Sequence, residues 1–86
     1  MTKVIKFYAN WCGPCRVYGK AFDKVSQELN EEVEFLNVNI EEDTTGLAAK
    51  YKVSSIPMTV VIKDGVEKNY TGRMDEGTLK NFILNE

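Results

Sequence analysis

Eighty-six residues, 43% of them hydrophobic and 28% charged, make one folded domain over residues 1–86 and not a disordered chain; a second unit would have no core of its own. The formal net charge is −2 and no dense basic block occurs, which excludes the electrostatic footprint of a nucleic-acid binder. Lys3 and Lys6 interrupt the N-terminal segment too early for a signal peptide, and the apolar stretch from Met58 to Ile62 is far short of a membrane span, so a cytoplasmic chain with no membrane partner is expected.

Lys3 to Ala9 is rich in β-branched and aromatic residues and reads as a strand, one expected to be buried on both faces. Asn10-Trp11-Cys12-Gly13-Pro14 is a loop, and Pro14 suits the first turn of a helix, where its missing N–H is not needed. Val17, Ala21, Phe22, Val25 and Leu29 recur at helical spacing and predict an inward face on a helix running to about Asn30, with Gly19 expected to mark a bend. Val33 to Ile40 follows as a strand with Leu36, Val38 and Ile40 on one face and Phe35, Asn37 and Asn39 on the other.

Glu41 to Thr45 is a loop that offers a helix cap, and Leu47, Ala48 and Tyr51 give a short amphipathic helix. Met58–Lys63 and Val66–Thr71 flank Asp64-Gly65, a strong two-residue hairpin signal. Asp75 caps a last helix with Leu79, Phe82 and Ile83 facing inward. The order β-α-β-α-β-β-α predicts an α/β fold. Its four-stranded mixed sheet has the first two strands parallel through a right-handed crossover, an antiparallel hairpin, and helices on both faces.

The two cysteines decide the chemistry. A disulfide-stapled secreted domain usually carries more, and a structural zinc site needs four ligands where this chain has two cysteines and no histidine. A redox pair or two incidental buried cysteines remain. Cys12 and Cys15 sit where the first strand hands over to the first helix, a recognised redox arrangement. Free N–H groups and the positive dipole end at a helix N-terminus favour a thiolate, the species that attacks a disulfide. Cys12 is therefore expected to be the exposed nucleophile with a lowered pKa. Cys15, one turn in, is expected to be more buried and to resolve the mixed disulfide.

Trp11-Cys12-Gly13-Pro14-Cys15 resembles the active-site motif of the thioredoxin family. Phe7-Tyr8-Ala9 is similar to the family's strand end, Ser55-Ile56-Pro57-Met58 to its Ile-Pro-Thr segment, and Lys63-Asp64-Gly65 to its hairpin; Gly72 falls where the family keeps a rim glycine. The likeness runs from about Lys3 to the C-terminus. It implies the thioredoxin fold without the strand and helix that precede this unit in a full-length member. It implies a cis bond before Pro57 and a substrate groove of Trp11, Gly13, Pro14, Ile56, Pro57 and Gly72, in which the Ile56 backbone pairs with an extended peptide. It also implies a monomeric protein-disulfide reductase that binds no metal or other cofactor, acts on protein disulfides, and is recycled by a thioredoxin reductase. A glutaredoxin-type enzyme recycled by glutathione is favoured by the short length and disfavoured by Gly13-Pro14 between the cysteines. A docking subunit without redox chemistry is disfavoured by the intact cysteine pair.

Three positions depart from the family pattern. Lys6 stands where the family keeps a buried acid that helps deprotonate the resolving cysteine, Asn37 where it keeps the facing lysine, and Lys20 where a proline commonly kinks the first helix. Lys6 is therefore expected either to reach solvent or to find an acceptor such as Asn37, and in the second case to tune the redox pair by its charge.

Overall fold

The computed structural model describes residues 2–85. Four strands and three helices follow in the expected order: β1 (Thr2–Tyr8), α1 (Gly13–Leu29), β2 (Val33–Asn39), α2 (Leu47–Lys50), β3 (Met58–Lys63), β4 (Val66–Thr71) and α3 (Glu76–Leu84). The sheet order is β2-β1-β3-β4. β1 runs parallel to β2 and antiparallel to β3, and β3 and β4 form an antiparallel hairpin. Asp64 (φ 52°) and Gly65 (φ 83°) both take left-handed backbone, the geometry of a two-residue turn that matches the twist of its strands.

β1 is an interior strand, and Val4, Ile5, Lys6 and Phe7 are all buried along it. Alternation sends these side chains to two separate cores. Val4 joins Val33 and Val61 of the sheet, Tyr18, Phe22 and Val25 of α1, and Leu79 and Ile83 of α3. Ile5 and Phe7 join Val38, Met58 and Val60 on the opposite face, covered by Leu47, Ala48 and Tyr51. The helices thus cover both faces as expected.

Local chemistry explains the element ends. Asp75 caps α3 by accepting from the Thr78 N–H at 2.7 Å. The N-cap of α2 is Gly46, one residue past the loop expected to supply it and without a side chain to offer; Asp43 and Thr45 ahead of it instead accept from the Ala48 N–H at 2.9 Å and the Leu47 N–H at 3.2 Å.

The inward face of α1 differs from the expected one. Val17 is 54% exposed, whereas Cys15, Tyr18, Phe22 and Val25 are the buried residues of the helix. The true stripe starts from Cys15 and steps by three, four and three residues, and a cysteine counted as apolar would have revealed it. α1 runs through Gly19 as one helix.

Tyr18 and Thr59 carry the polar link between α1 and β3. Their hydroxyls lie 2.6 Å apart inside the core. Burial pushes the Tyr18 phenol up to about 12, so it remains neutral and able to donate. Tyr18→Phe leaves the buried Thr59 hydroxyl without its partner and is expected to cost about 1–3 kcal/mol in denaturant unfolding. Adding Thr59→Val should recover most of that loss, because removing both polar partners is far cheaper than removing one. A double variant no more stable than Tyr18→Phe would show that the pair is not the source of the effect.

Candidate functional site

The candidate site lies at the end of β1 where the chain turns into α1. Cys12 is the N-cap of α1 in extended backbone (φ −87°, ψ 110°), and its sulfur accepts from the Cys15 N–H at 3.2 Å. Pro14 occupies the first turn, as its fixed φ and missing N–H favour. Cys12 and Cys15 are joined as a disulfide with their Cα atoms 5.2 Å apart, so this is the oxidised state. The amide that faces the Cys12 sulfur here would face a Cys12 thiolate after reduction, with the helix dipole behind it.

The cysteines are not distinguished by exposure as expected. Cys12 is 5% exposed and Cys15 3%. Cys12 is folded back over the helix end and packs with Ala9 and Cys15 against Tyr8, Ile40 and Ile56. What separates the two is direction. The Cys12 sulfur lies 4.0 Å from the Ile56 carbonyl oxygen, on the side of the Pro57 loop. Cys15 instead lines a cleft of about 200 Å³ with Lys6, Asn10, Arg16 and Gly19 on the α1 side of the sheet.

The residues expected to form a groove surround the Cys12 side. Trp11 is 65% exposed, Gly13 and Pro14 are exposed, Ile56 is half-buried and Pro57 is buried. The Ile56–Pro57 peptide is cis. Gly72 closes the rim by donating its N–H to the Pro57 carbonyl at 2.8 Å. Its φ of 112° lies in the region that suits glycine, so this contact depends on the missing side chain. The topology gathers these pieces because β1 ends, β3 begins and β4 ends at one pole of the sheet: Phe7 pairs with Met58, and Met58 with Thr71.

Arg16 was missed in the sequence. Its Nε and Nη2 donate to the Asn10 carbonyl at 3.2 and 2.8 Å, tying the loop before Cys12 to the first turn of α1. A signal existed: a cation in a helix's first turn opposes the dipole, so it calls for a compensating partner.

Lys6 is only 6% exposed. Its ammonium lies 4.9 Å from the Phe22 ring centroid and 5.1 Å from that of Tyr8, close enough for cation–π attraction. Asn37 pairs with Lys6 across β1 and β2 yet is exposed, and the acceptor role expected for it is replaced by these two rings. Burial lowers the Lys6 pKa, and the negative charge of Asp23 opposes that.

Comparisons with known proteins agree with this geometry. The family profile described as "Thioredoxin" matches residues 1–85. The chain is 37% identical to the mitochondrial thioredoxin of Mus musculus over 81 residues, covering 93% of this chain and 48% of that protein. It is 42% identical to a thioredoxin of Mycoplasma pneumoniae over 66 residues, covering 77% of this chain and 63% of that one. It thus spans about half to two thirds of these relatives' lengths. The solved thioredoxin of Fasciola hepatica superposes with a TM-score of 0.82 at 37% identity, over 95% of this chain and 77% of that chain. A cysteine pair at a strand–helix junction, a cis-proline loop beside it and a profile match over nearly the whole sequence point the same way: the chain belongs to the thioredoxin family.

Proposed function

We infer that the chain reduces disulfides in protein substrates by dithiol exchange. The observation that carries this reading is the Cys12–Cys15 disulfide at the start of α1, with the Cys12 sulfur accepting from the Cys15 N–H. In the reduced protein the Cys12 thiolate attacks one substrate sulfur, forming a mixed disulfide as the other substrate sulfur leaves as a thiolate. Cys15, as a thiolate, then attacks the Cys12 sulfur. The substrate sulfur held in the mixed disulfide leaves as a thiolate, the Cys12–Cys15 bond forms, and two electrons have passed to the substrate.

In this reading Trp11, Gly13, Pro14, Ile56, Pro57 and Gly72 hold the substrate polypeptide. The exposed indole of Trp11 supplies apolar contact, and the Ile56 backbone pairs with an extended segment. The chain works as a monomer in a reducing compartment, the cytoplasm, and a thioredoxin reductase recycles it. The family match and the motif between the cysteines support this choice over glutathione.

Recycling is the test. Oxidised protein supplied with a thioredoxin reductase and NADPH is expected to reduce insulin disulfides through many turnovers. Glutathione with its own reductase is expected to support at most a few per cent of that rate. Turnover with glutathione alone would replace this reading with a glutaredoxin-type one.

A further inference from the structure

Lys6 and Gly19 form a matched pair behind Cys15. The Lys6 ammonium stands 3.5 Å from the point where a side chain at Gly19 would begin. Both residues line the cleft of about 200 Å³ that Cys15 also lines. A lysine whose residue is 94% removed from solvent keeps its head group in that cleft because α1 presents a glycine there. Gly19, costly in a helix interior, thus has a packing reason.

We propose that Lys6, admitted by Gly19, is a positioning residue for the redox pair: its ammonium stabilises the Cys15 thiolate across the cleft and so favours the dithiol state of this protein. This rests on the redox reading of Cys12 and Cys15. In the oxidised form described here the sulfurs carry no charge, and among the described residues the Phe22 and Tyr8 rings and the negative charge of Asp23 offset the burial of the cation. Reduction places an anion beside it. By linkage, protonation of Lys6 and reduction of the disulfide favour each other.

The surroundings fix the sign. From α1, Asp23 faces Lys6 with negative charge, and Arg16 stands across the cleft, its guanidinium engaged by the Asn10 carbonyl. β2 offers the neutral Asn37 in register, and β3 the Thr59 hydroxyl, which is paired with Tyr18. β1 itself contributes the Tyr8 ring. The two cations that line the cleft with Cys15, Lys6 and Arg16, therefore act in one direction, toward the thiolate.

The test is equilibration of the pair with glutathione. In that exchange two glutathione thiols become one glutathione disulfide while the Cys12–Cys15 bond takes up two electrons. Lys6→Met is expected to shift the equilibrium about tenfold toward the protein disulfide, or about 30 mV toward the reducing side. The cysteine pKa values, read from thiolate absorbance in the ultraviolet, should rise by about one unit. Gly19→Leu, which fills the cleft while keeping the lysine, should give the same shift. A Lys6→Met chain that has lost cooperative melting is replaced by Lys6→Gln, read in the same way.

Wild-type equilibrium and titration in the lysine variants overturn the proposal. A wild-type result for Gly19→Leu alone overturns the role given to the cleft. Wild-type protein that fails to equilibrate with glutathione at all would overturn the redox reading instead, so the two failures are told apart.

Discussion

Cys12→Ser is expected to abolish insulin-disulfide reduction, by at least about a thousandfold, because the remaining thiol, Cys15, faces the Lys6 cleft and not the side of the Ile56–Pro57 loop. Cys15→Ser should behave differently. Its Cys12 still attacks, but no internal thiol completes the exchange, so substrate polypeptides accumulate on Cys12 as mixed disulfides visible on non-reducing gels. Equal burial of the two residues removes exposure as the ground for this asymmetry. The remaining ground is electrostatic and directional. The Cys12 sulfur caps α1 and accepts the Cys15 N–H on the side of the Ile56–Pro57 loop, the side proposed to hold substrate. Cys15 lies inside the first turn and faces the Lys6 cleft. Trapping by both variants to the same extent would show that either sulfur can meet substrate, and would undo the assignment.

The contrast between what could and could not be read in advance follows the range of each interaction. The hairpin was legible because Asp64 and Gly65 fix their own backbone, and the Asp75 cap because its partner is three residues away. The parallel pairing of β1 with β2 followed from the rule that a helix crossover joins parallel strands, whereas the place of β1 beside β3 had no local signal. The place of the cysteine pair at the strand–helix junction was legible because spacing and a helix start are local facts.

Long-range choices were less visible. Whether Val17 or Tyr18 faces inward depends on Thr59, 41 residues away, which supplies a partner for the Tyr18 hydroxyl. The burial of Cys12 depends on Ile40 and Ile56 closing over it from two other segments. At Lys6 the departure from the family was plain in the sequence, but not the rings that receive the cation nor the glycine that makes room for it.

Phe22 is where the fold and that cation meet, and Phe22→Ala is expected to produce the largest loss of stability of any substitution considered, about 3–5 kcal/mol. The ring is fully buried. It packs edge-to-face with Tyr18 (5.8 Å) and Phe35 (5.5 Å), so truncation removes two aromatic contacts and opens a cavity between α1 and the sheet. Against a total stability of about 5–15 kcal/mol for a small domain, that loss is at least about a fifth of the whole margin. Its melting temperature should fall by roughly 12–40 °C, at about 4–8 °C per kcal/mol for a domain of this size.

Phe22→Leu keeps most of the volume but removes the π face, and is the sharper probe. Its cost should shrink by about 0.5–2 kcal/mol when Lys6 is already Met, because the cation–π contact at 4.9 Å is then lost only once. A smaller coupling, with the two losses simply additive, would place the ammonium away from the Phe22 ring in solution. The packing term would be unaffected, since Phe22→Ala removes the same contacts to Tyr18 and Phe35 wherever the Lys6 head group lies.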